Sequence, residues 1–347
     1  MRALVVDAFG TPPAVREVPE PSCPPDGVVI EVRATGLCRS DWHGWAGHDP
    51  DIRLPHVPGH EFAGVVTEIG AKVGTVSVGQ RVTTPFVCAC GVCATCRAGA
   101  PQVCEDQFQP GFTAWGSFAE RVAIPRADFN VVPLPDELDF VMAAGLGCRF
   151  ATAYRAVIAH GRAGADDWVA VFGCGGVGLA ATMIAAARGA RVIAVDISRA
   201  ALDLAAQFGA QELVDSSRAD AVERIRAVTD GGAHVAIDAL GSASTCQASI
   251  ASLRRRGRHV QVGLMLGPDA GAGVPMDRVI AHELEIYGSH GMAAADYPAM
   301  LDEIASGRLQ PGSLVTGRIG LEDLAGPDGA LATMGDAPPT GTLVVIP

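Results

Sequence analysis

The stretch that decides the fold runs from Trp168 to Asp196 and reads WVAVFGCGGVGLAATMIAAARGARVIAVD. A short apolar run, WVAVF, is followed by a glycine-rich turn. An alanine-rich, helix-like segment then runs from Val177 to Arg188 and leads into a second apolar run, RVIAVD. Apolar runs of this length bounded by glycine are typical of buried strands. The order therefore predicts a strand–helix–strand unit of a parallel sheet.

The residues on either side extend this prediction to the whole chain. ELVD, HVAIDAL and RHVQVGL read as further strands, with helices between them, one around residues 248–255. We therefore predict a doubly wound parallel sheet over residues 151–284. The first 150 residues read instead as short strands between glycine and proline turns, which indicates a β-rich domain that residues 285–347 rejoin. The predicted fold class is α/β with two domains.

Composition narrows the class of partner. The 347 residues are 49% hydrophobic and 18% charged, which excludes a disordered chain. The net charge of −12 argues against nucleic acid and anionic membranes and favours a small molecule. The single lysine, Lys72, lies in a turn-like stretch, so Schiff-base chemistry has no good candidate. A cytoplasmic location is expected, because the N-terminus lacks a signal-peptide pattern and no apolar run reaches membrane-spanning length.

Four of the ten cysteines are clustered at C-x2-C-x2-C-x7-C spacing. This spacing lets one loop wrap four thiolates around a tetrahedral ion, and it predicts a structural zinc site closed to water. An iron–sulfur cluster is the alternative, although ferredoxin-type motifs place the fourth cysteine closer and before a proline. The predicted ligands are Cys90, Cys93, Cys96 and Cys104.

The glycine-rich turn after Trp168 has the G-x-G-x-x-G frame of a dinucleotide-binding site. The turn comprises Gly173, Gly175, Gly176, Val177 and Gly178. Glycines there permit a tight turn and let a pyrophosphate approach backbone N–H groups at a helix start. Asp196 lies 23 residues after the first glycine, where an acid binds the adenosine ribose and repels a 2′-phosphate, so NAD is favoured. The alternative is that Asp196 only stabilises a helix N-terminus.

A second candidate metal set is dispersed along the chain. Cys38 lies in GLCRSDWH, His60 and Glu61 lie in PGHEFAG, and Cys148 lies in GLGCRFATAY. Singly, each residue is more often part of a core, but together they offer two thiolates and one imidazole, the set of a catalytic zinc with an open position. Asp41 could accept the other ring N–H of the histidine.

These motifs, in this order, resemble the zinc-containing alcohol dehydrogenases of the medium-chain dehydrogenase/reductase superfamily. The resemblance implies a GroES-like catalytic domain and a Rossmann domain, an alcohol–carbonyl interconversion by hydride transfer, and two zinc ions and NAD as cofactors. It also implies a role for single residues: Cys38, His60 and Cys148 as ligands of the catalytic zinc, Glu61 behind that zinc as a second-shell or transient ligand, Ser40 and His43 as the proton relay, Arg39 as a pyrophosphate contact and Thr152 as a nicotinamide contact.

The resemblance also has departures and alternatives. Many relatives carry a lysine where this chain has Ala201, so Arg199 is a candidate substitute and some use of NADP stays open. Phe86 matches a substrate-pocket position, and Trp115 is a further candidate for that pocket, as are Trp42 and Trp45. A polyol or threonine-type dehydrogenase and a catalytically idle NAD-binding sensor are the alternative functions. A homotetramer is expected, with a dimer as the alternative.

Overall fold

The structure is a computed structural model that describes residues 1–271, 273–335 and 338–347. It divides into two compact units. The first comprises Met1–Ala151 and Gly291–Pro347, and the second comprises Thr152–His290.

The described strands are β1 Arg2–Val5, β2 Ala14–Glu17, β3 Val28–Leu37, β4 Glu61–Ile69, β5 Arg81–Thr83, β6 Arg121–Ile124, β7 Val132–Pro133, β8 Trp168–Phe172, β9 Arg191–Asp196, β10 Ala210–Asp215, β11 Ala233–Asp238, β12 Leu253–Gln261, β13 Glu285–Gly288, β14 Val315–Gly320 and β15 Thr342–Ile346.

The described α-helices are α1 Arg39–Trp45, α2 Ala94–Arg97, α3 Ala127–Asn130, α4 Phe140–Ala144, α5 Ala151–Arg155, α6 Gly176–Ala187, α7 Arg199–Gln207, α8 Ala221–Thr229, α9 Ala243–Ala251, α10 Met276–His282, α11 Tyr297–Ala305 and α12 Ala330–Thr333. Short 3₁₀ segments cover Pro101–Val103, Gly267–Gly271, Ala294–Asp296, Pro311–Leu314 and Leu321–Leu324, and π-helical turns cover Leu146–Phe150 and Ala156–His160. Among these helices, none has both the length and the apolar character needed to cross a bilayer.

The first unit is built on a sheet with the strand order β14-β15-β3-β4-β5-β7, in which β6 also pairs with β3. Strand β3 supplies the centre because its apolar residues alternate toward the core, where Val28, Ile30 and Val32 pack with Phe62 of β4. Strand β15 pairs antiparallel with β3, so residues 342–346 join the sheet that β3 and β4 form, whereas β1 and β2 make a separate two-stranded sheet.

The second unit is a six-stranded parallel sheet with the order β10-β9-β8-β11-β12-β13. This is the doubly wound order of a Rossmann sheet. Its central strands are apolar along their length because helices cover both faces of such sheets, and Val169, Ala170 and Val171 of β8 are fully buried. The predicted α/β class is confirmed.

Two sequence-based boundaries differ from the structure. The chain leaves the parallel sheet after His290 rather than after residue 284, because β13 pairs in parallel with β12 and adds an edge strand. The helix predicted around residues 248–255 lies at Ala243–Ala251, because Ser242 accepts a hydrogen bond from the backbone of Thr245 and fixes the helix start. Strand β12 then begins at Leu253.

Candidate active site

The dispersed set of predicted metal ligands comes together in the first unit. Cys38 follows strand β3, His60 and Glu61 lie at the start of β4, and Cys148 lies in the π-helical turn after α4. One ligand atom from each of these four side chains lies within 4.8 Å of the others. Cys38, His60 and Glu61 are buried and Cys148 is half-buried. Cys38 meets His60 and Glu61 because β3 and β4 are neighbours in the sheet. Cys148, 110 positions after Cys38, joins them because the turn that carries it packs on β4.

Asp41 fixes the orientation of this set. Its Oδ1 accepts a hydrogen bond from His60 Nδ1 at 2.9 Å and from the Gly59 backbone at 3.1 Å, and its Oδ2 accepts one from the Cys38 backbone at 2.9 Å. The other ring nitrogen, His60 Nε2, is buried and has no hydrogen-bond partner. A buried orphan nitrogen beside two sulfurs is what a metal-ligating imidazole presents before its ion is added. The residues fit zinc.

The two thiols of the site differ in acidity. The hydrogen bond from Cys148 is the largest influence on Cys38 and holds the pKa of the Cys38 thiol well below its usual range. The same hydrogen bond, together with burial, raises the pKa of Cys148 well above its usual range. Zinc requires both sulfurs as thiolates, and the two thiols lie close enough to influence each other's acidity.

Arg149 is a functional residue that sequence reasoning missed. Its backbone N–H donates to Glu61 Oε1 at 2.6 Å, its Nε lies 2.8 Å from Oε2, and its Nη2 also donates to Oε2. A side chain at Gly36 would not fit, because its Cβ would lie 2.5 Å from Glu61 Oε2 and 2.6 Å from Arg149 Nη2. Burial raises the pKa of Glu61, and the positive charge of Arg149 opposes that rise. In the sequence, the only sign that this arginine belongs to the site is that it directly follows Cys148.

The clustered cysteines also converge. Cys90 Sγ lies 3.9 Å from Cys96 Sγ, and Cys93 Sγ lies 3.8 Å from Cys104 Sγ. These separations exceed a disulfide bond and match the edge of about 3.8 Å expected for a tetrahedron of sulfurs around zinc. Backbone N–H groups, that of Cys96 first and that of Glu105 next, lower the pKa of Cys93 to about 6. Burial raises the pKa of Cys96 and of Cys104. This set fits a second zinc.

The glycine-rich turn joins β8 to α6 in the second unit. Gly178 must lack a side chain, because a Cβ there would lie 1.8 Å from the Gly173 carbonyl oxygen. At Gly175, which precedes α6, a Cβ would meet nothing within 4 Å, so open space faces the helix start. Asp196 ends β9 and accepts hydrogen bonds from the Cys174 backbone at 2.6 Å and the Ser198 backbone at 2.8 Å. The turn and the acid fit a dinucleotide.

Comparison with known proteins agrees with this geometry. The family model described as "Alcohol dehydrogenase GroES-like domain" matches residues 24–136, and the one described as "Zinc-binding dehydrogenase" matches residues 176–306. An alcohol dehydrogenase of Geobacillus stearothermophilus is 35% identical over 312 residues, which are 89% of this chain and 90% of that protein. The chain belongs to the zinc-containing alcohol dehydrogenase family of the medium-chain dehydrogenase/reductase superfamily.

Other members of the superfamily are similar to this chain at nearly the same level. A sorbitol dehydrogenase of Halalkalibacterium halodurans is 32% identical over 91% of this chain and 92% of that protein. An L-threonine 3-dehydrogenase of Rhizobium etli is 31% identical over 93% of each. A solved structure of a zinc-binding dehydrogenase from Sinorhizobium meliloti, bound to NADP, has a TM-score of 0.89 and 30% identity and covers 100% of this chain and 99% of that one. The chain is thus a zinc-dependent dehydrogenase that uses a nicotinamide cofactor.

Two residues that the family resemblance assigns to proton transfer lie on helix α1, beside the dispersed metal set. Ser40 Oγ lies 3.7 Å from Cys38 Sγ. His43 is half-buried three residues later, so both side chains occupy one face of the helix. Burial, with the charges of Arg39 and His48, lowers the pKa of His43 to about 4. The imidazole is therefore neutral at neutral pH, and the lowered pKa makes it a weaker base than a free imidazole.

The predicted pocket residues separate into two groups. Phe86 is buried with its ring 6.2 Å from the His60 ring, and Phe112, which the sequence did not single out, lies 4.9 Å from that ring. Trp42 and Trp45 pack against the apolar core around Leu4 and Leu37. Trp115 is 38% exposed and donates to the Pro55 carbonyl at 3.1 Å, so its pocket role stays a prediction.

The remaining cofactor contacts also stay predictions. Thr152 Oγ1 is buried without a hydrogen-bond partner, which leaves it available to a ligand. Arg39 is exposed and its guanidinium lies 5.3 Å from the Trp42 ring centre. Arg199 Nη2 lies 2.8 Å from Asp203 Oδ1 on α7. This ion pair is exposed and therefore weak, so another negatively charged partner could displace Asp203 from the arginine.

Proposed function

We propose that this chain is a zinc- and NAD-dependent alcohol dehydrogenase that interconverts alcohols with aldehydes or ketones. The observation that carries the proposal is the pocket of Cys38, His60 and Cys148, in which a buried and unpartnered Nε2 faces two sulfurs near the hydroxyl of Ser40. We assign the catalytic zinc to these three ligands and a structural zinc to the four clustered cysteines.

Each group then has a defined task. When bound, zinc supplies a Lewis acid that polarises the substrate oxygen, and the nicotinamide accepts the hydride. Ser40 accepts the proton of the substrate hydroxyl, and neutral His43 takes up the proton that leaves the site. Asp41 holds the His60 ring, and Arg149 neutralises the charge of Glu61 in the buried wall behind the thiols.

NAD is preferred over NADP because Asp196 is held by two backbone N–H groups at the end of β9. A carboxylate fixed there can bond the ribose hydroxyls of NAD but repels the extra phosphate of NADP. Arg199 offers limited compensation, since it is already paired with Asp203.

The aromatic wall of the pocket favours simple apolar alcohols. Phe86 and Phe112 flank His60, and a polyol or an amino acid would leave hydroxyl or charged groups against these rings. A polyol or threonine dehydrogenase is the second candidate, supported by relatives of both kinds at 32% and 31% identity.

The test is a set of initial rates with ethanol, benzyl alcohol, sorbitol and L-threonine, each with NAD and with NADP. We expect the highest kcat/KM for benzyl alcohol with NAD. A higher value for sorbitol or threonine would favour the second candidate, and no turnover with any of them would favour the idle NAD-binding sensor. The expected homotetramer and cytoplasmic location are tested by sedimentation of the purified protein and by fractionation of its host cells.

A further inference from the structure

Helix α1 ends in a turn that brings two histidines together. The helix ends at Trp45, Ala46 caps it, and Gly47 follows with φ +81°. The backbone N–H of His48 donates to the carbonyl of His43 at 2.9 Å. This is the hydrogen-bond pattern of a Schellman motif, which places the residue after the glycine beside the residue five positions earlier.

In Schellman motifs the residue after the glycine and the residue five positions earlier usually make an apolar contact. Here they are both imidazoles. His43 Nδ1 and His48 Nδ1 are 3.0 Å apart, with ring centres 5.3 Å apart. The Trp42 ring meets both edge-on, at 4.9 Å from His43 and 5.5 Å from His48. Backbone and side chains therefore hold this pair in one arrangement.

The two rings differ in exposure. His43 is half-buried and lies on the same face of α1 as Ser40, whereas His48 is exposed. The charged and titratable groups that act on His43 are Arg39 on the same helix, His48 in the following turn and Cys38 before the helix. Only the imidazole of His48 offers a nitrogen in hydrogen-bond contact with His43 among the described hydrogen bonds.

We propose that His48 is the exit residue of the proton relay, passing to bulk water the proton that alcohol oxidation delivers to His43. This inference rests on the proposed function. One proton arrives at His43 Nε2, the Nδ1 proton of His43 crosses to His48 Nδ1, and His48 releases one proton to water or buffer. The count balances for one transfer: His48 releases the proton from its Nε2, and the proton between the two Nδ1 atoms passes from His43 to His48. Exchange of the ring protons with water restores the starting tautomers before the next turnover.

The test compares two substitutions of His48 that separate proton transfer from capping. His48→Leu supplies the apolar residue that this capping motif usually carries, and His48→Gln keeps polarity without a titratable ring. Asp51→Asn is the control, since it changes an exposed charge in the same loop. Each variant of the full zinc-loaded enzyme is assayed for alcohol oxidation between pH 6 and pH 9, with stopped-flow detection of proton release by an indicator dye.

We expect both His48 variants to keep the wild-type Tm and to slow proton release about 3- to 10-fold below pH 7, less than the 100-fold or more that loss of a directly acting base costs. Added imidazole buffer should restore the rate, and His43→Gln combined with His48→Gln should be no slower than His43→Gln alone. Asp51→Asn should behave as wild type. His48 variants with wild-type rates at every pH, alongside a slowed His43→Gln, would overturn the exit role and leave the proposed function intact.

A second measurement needs no turnover. Long-range ¹H–¹⁵N spectra of the enzyme labelled at histidine should show one ring of the pair protonated at Nδ1, and this signal should vanish in His48→Leu, which offers no hydrogen-bond acceptor. If the wild type lacks the Nδ1–H signal, the proposed proton path is overturned, whichever substrate the enzyme uses. If the signal is present but the enzyme oxidises none of the tested alcohols, only the proposed substrate class is refuted.

Discussion

Arg149 and Glu61 form a buried ion pair against the candidate catalytic site. Side-chain exposure is 9% for the arginine and 0% for the glutamate, and three nitrogens of Arg149 donate to the two carboxylate oxygens. The two residues are 88 positions apart and meet because the turn that carries Cys148 packs on strand β4. Arg149 thereby gives Glu61 partners other than a metal ion.

We expect Arg149→Met to destabilise the protein by about 3–5 kcal/mol, because it leaves a buried carboxylate without its counter-charge. Urea unfolding monitored by fluorescence measures the change. The control is Arg149→Met combined with Glu61→Gln, which removes both charges and should recover part of the loss. A single variant as stable as the wild type would show that the carboxylate is already neutral or solvated.

This pair also marks the limit of what the sequence could predict. The four clustered cysteines and the glycine-rich turn are local patterns, so their spacing alone encodes their geometry, and the structure brings each together as expected. Arg149 and Phe112 carry no such pattern, because their partners lie on distant segments. The predicted boundary at residue 284 leaves the edge strand β13 outside the parallel sheet for the same reason: parallel pairing with β12 is a property of the sheet, which the half-exposed residues of β13 do not reveal.

The two proposed metal sites should respond differently to loss of a ligand. Cys148→Ser should retain the fold and the structural zinc, about one zinc per chain. It should lose turnover, because Cys148 belongs to the proposed catalytic site, whose open position is where substrate would bind. Cys96→Ser should yield unstable protein, since binding energy at a closed site is folding energy. Elemental analysis and Tm are the measurements. Wild-type protein with one zinc ion per chain would contradict one of the two assignments, and zinc-free protein would contradict both.

Cofactor preference should depend on two carboxylates rather than one. Asp215 on β10 is the register partner of Asp196 on β9, so both acids lie at the same end of neighbouring parallel strands, whose backbones are about 5 Å apart. Asp196→Gly should shift the ratio of kcat/KM values toward NADP, and adding Asp215→Asn should shift it about fivefold further. Binding of 2′,5′-ADP measured by calorimetry gives a readout independent of turnover. A double variant equal to the single one would exclude Asp215 from the preference.

Mild acid should weaken the second unit through His259. This buried ring lies 2.9 Å from Ser249 Oγ at Nδ1 and 3.2 Å from Gln261 Oε1 at Nε2, so it is held neutral. Burial lowers the pKa of His259, although Asp238 partly opposes this shift. The unfolded state therefore binds more protons, and stability falls as pH drops below about 6.5, by at most about 1.4 kcal/mol per pH unit for this one group.

We expect His259→Gln to lower stability at pH 8 but to flatten the decline between pH 6.5 and pH 5. Urea unfolding at several pH values with constant zinc measures both effects. Since other histidines also have lowered pKa values, the variant should reduce the slope without abolishing it. An unchanged slope would mean that His259 is protonated in the folded state or that water reaches it.

Ser40 should matter to the chemical step more than His43 or His48. Its hydroxyl lies 3.7 Å from the sulfur of Cys38, a proposed zinc ligand, whereas His43 lies one helical turn further on. Ser40→Ala should reduce kcat and kcat/KM for alcohol oxidation together by about 10²–10⁴-fold, because the serine hydroxyl accepts the substrate proton only in the transition state. Ser40→Thr is the matched control, since it keeps a hydroxyl at the same position and should retain most of the activity. The measurement is the steady-state rate of each variant, with zinc content and Tm checked to be unchanged. An active Ser40→Ala enzyme would remove the serine from the mechanism. An inactive Ser40→Thr enzyme would show that pocket shape, rather than the hydroxyl, controls turnover.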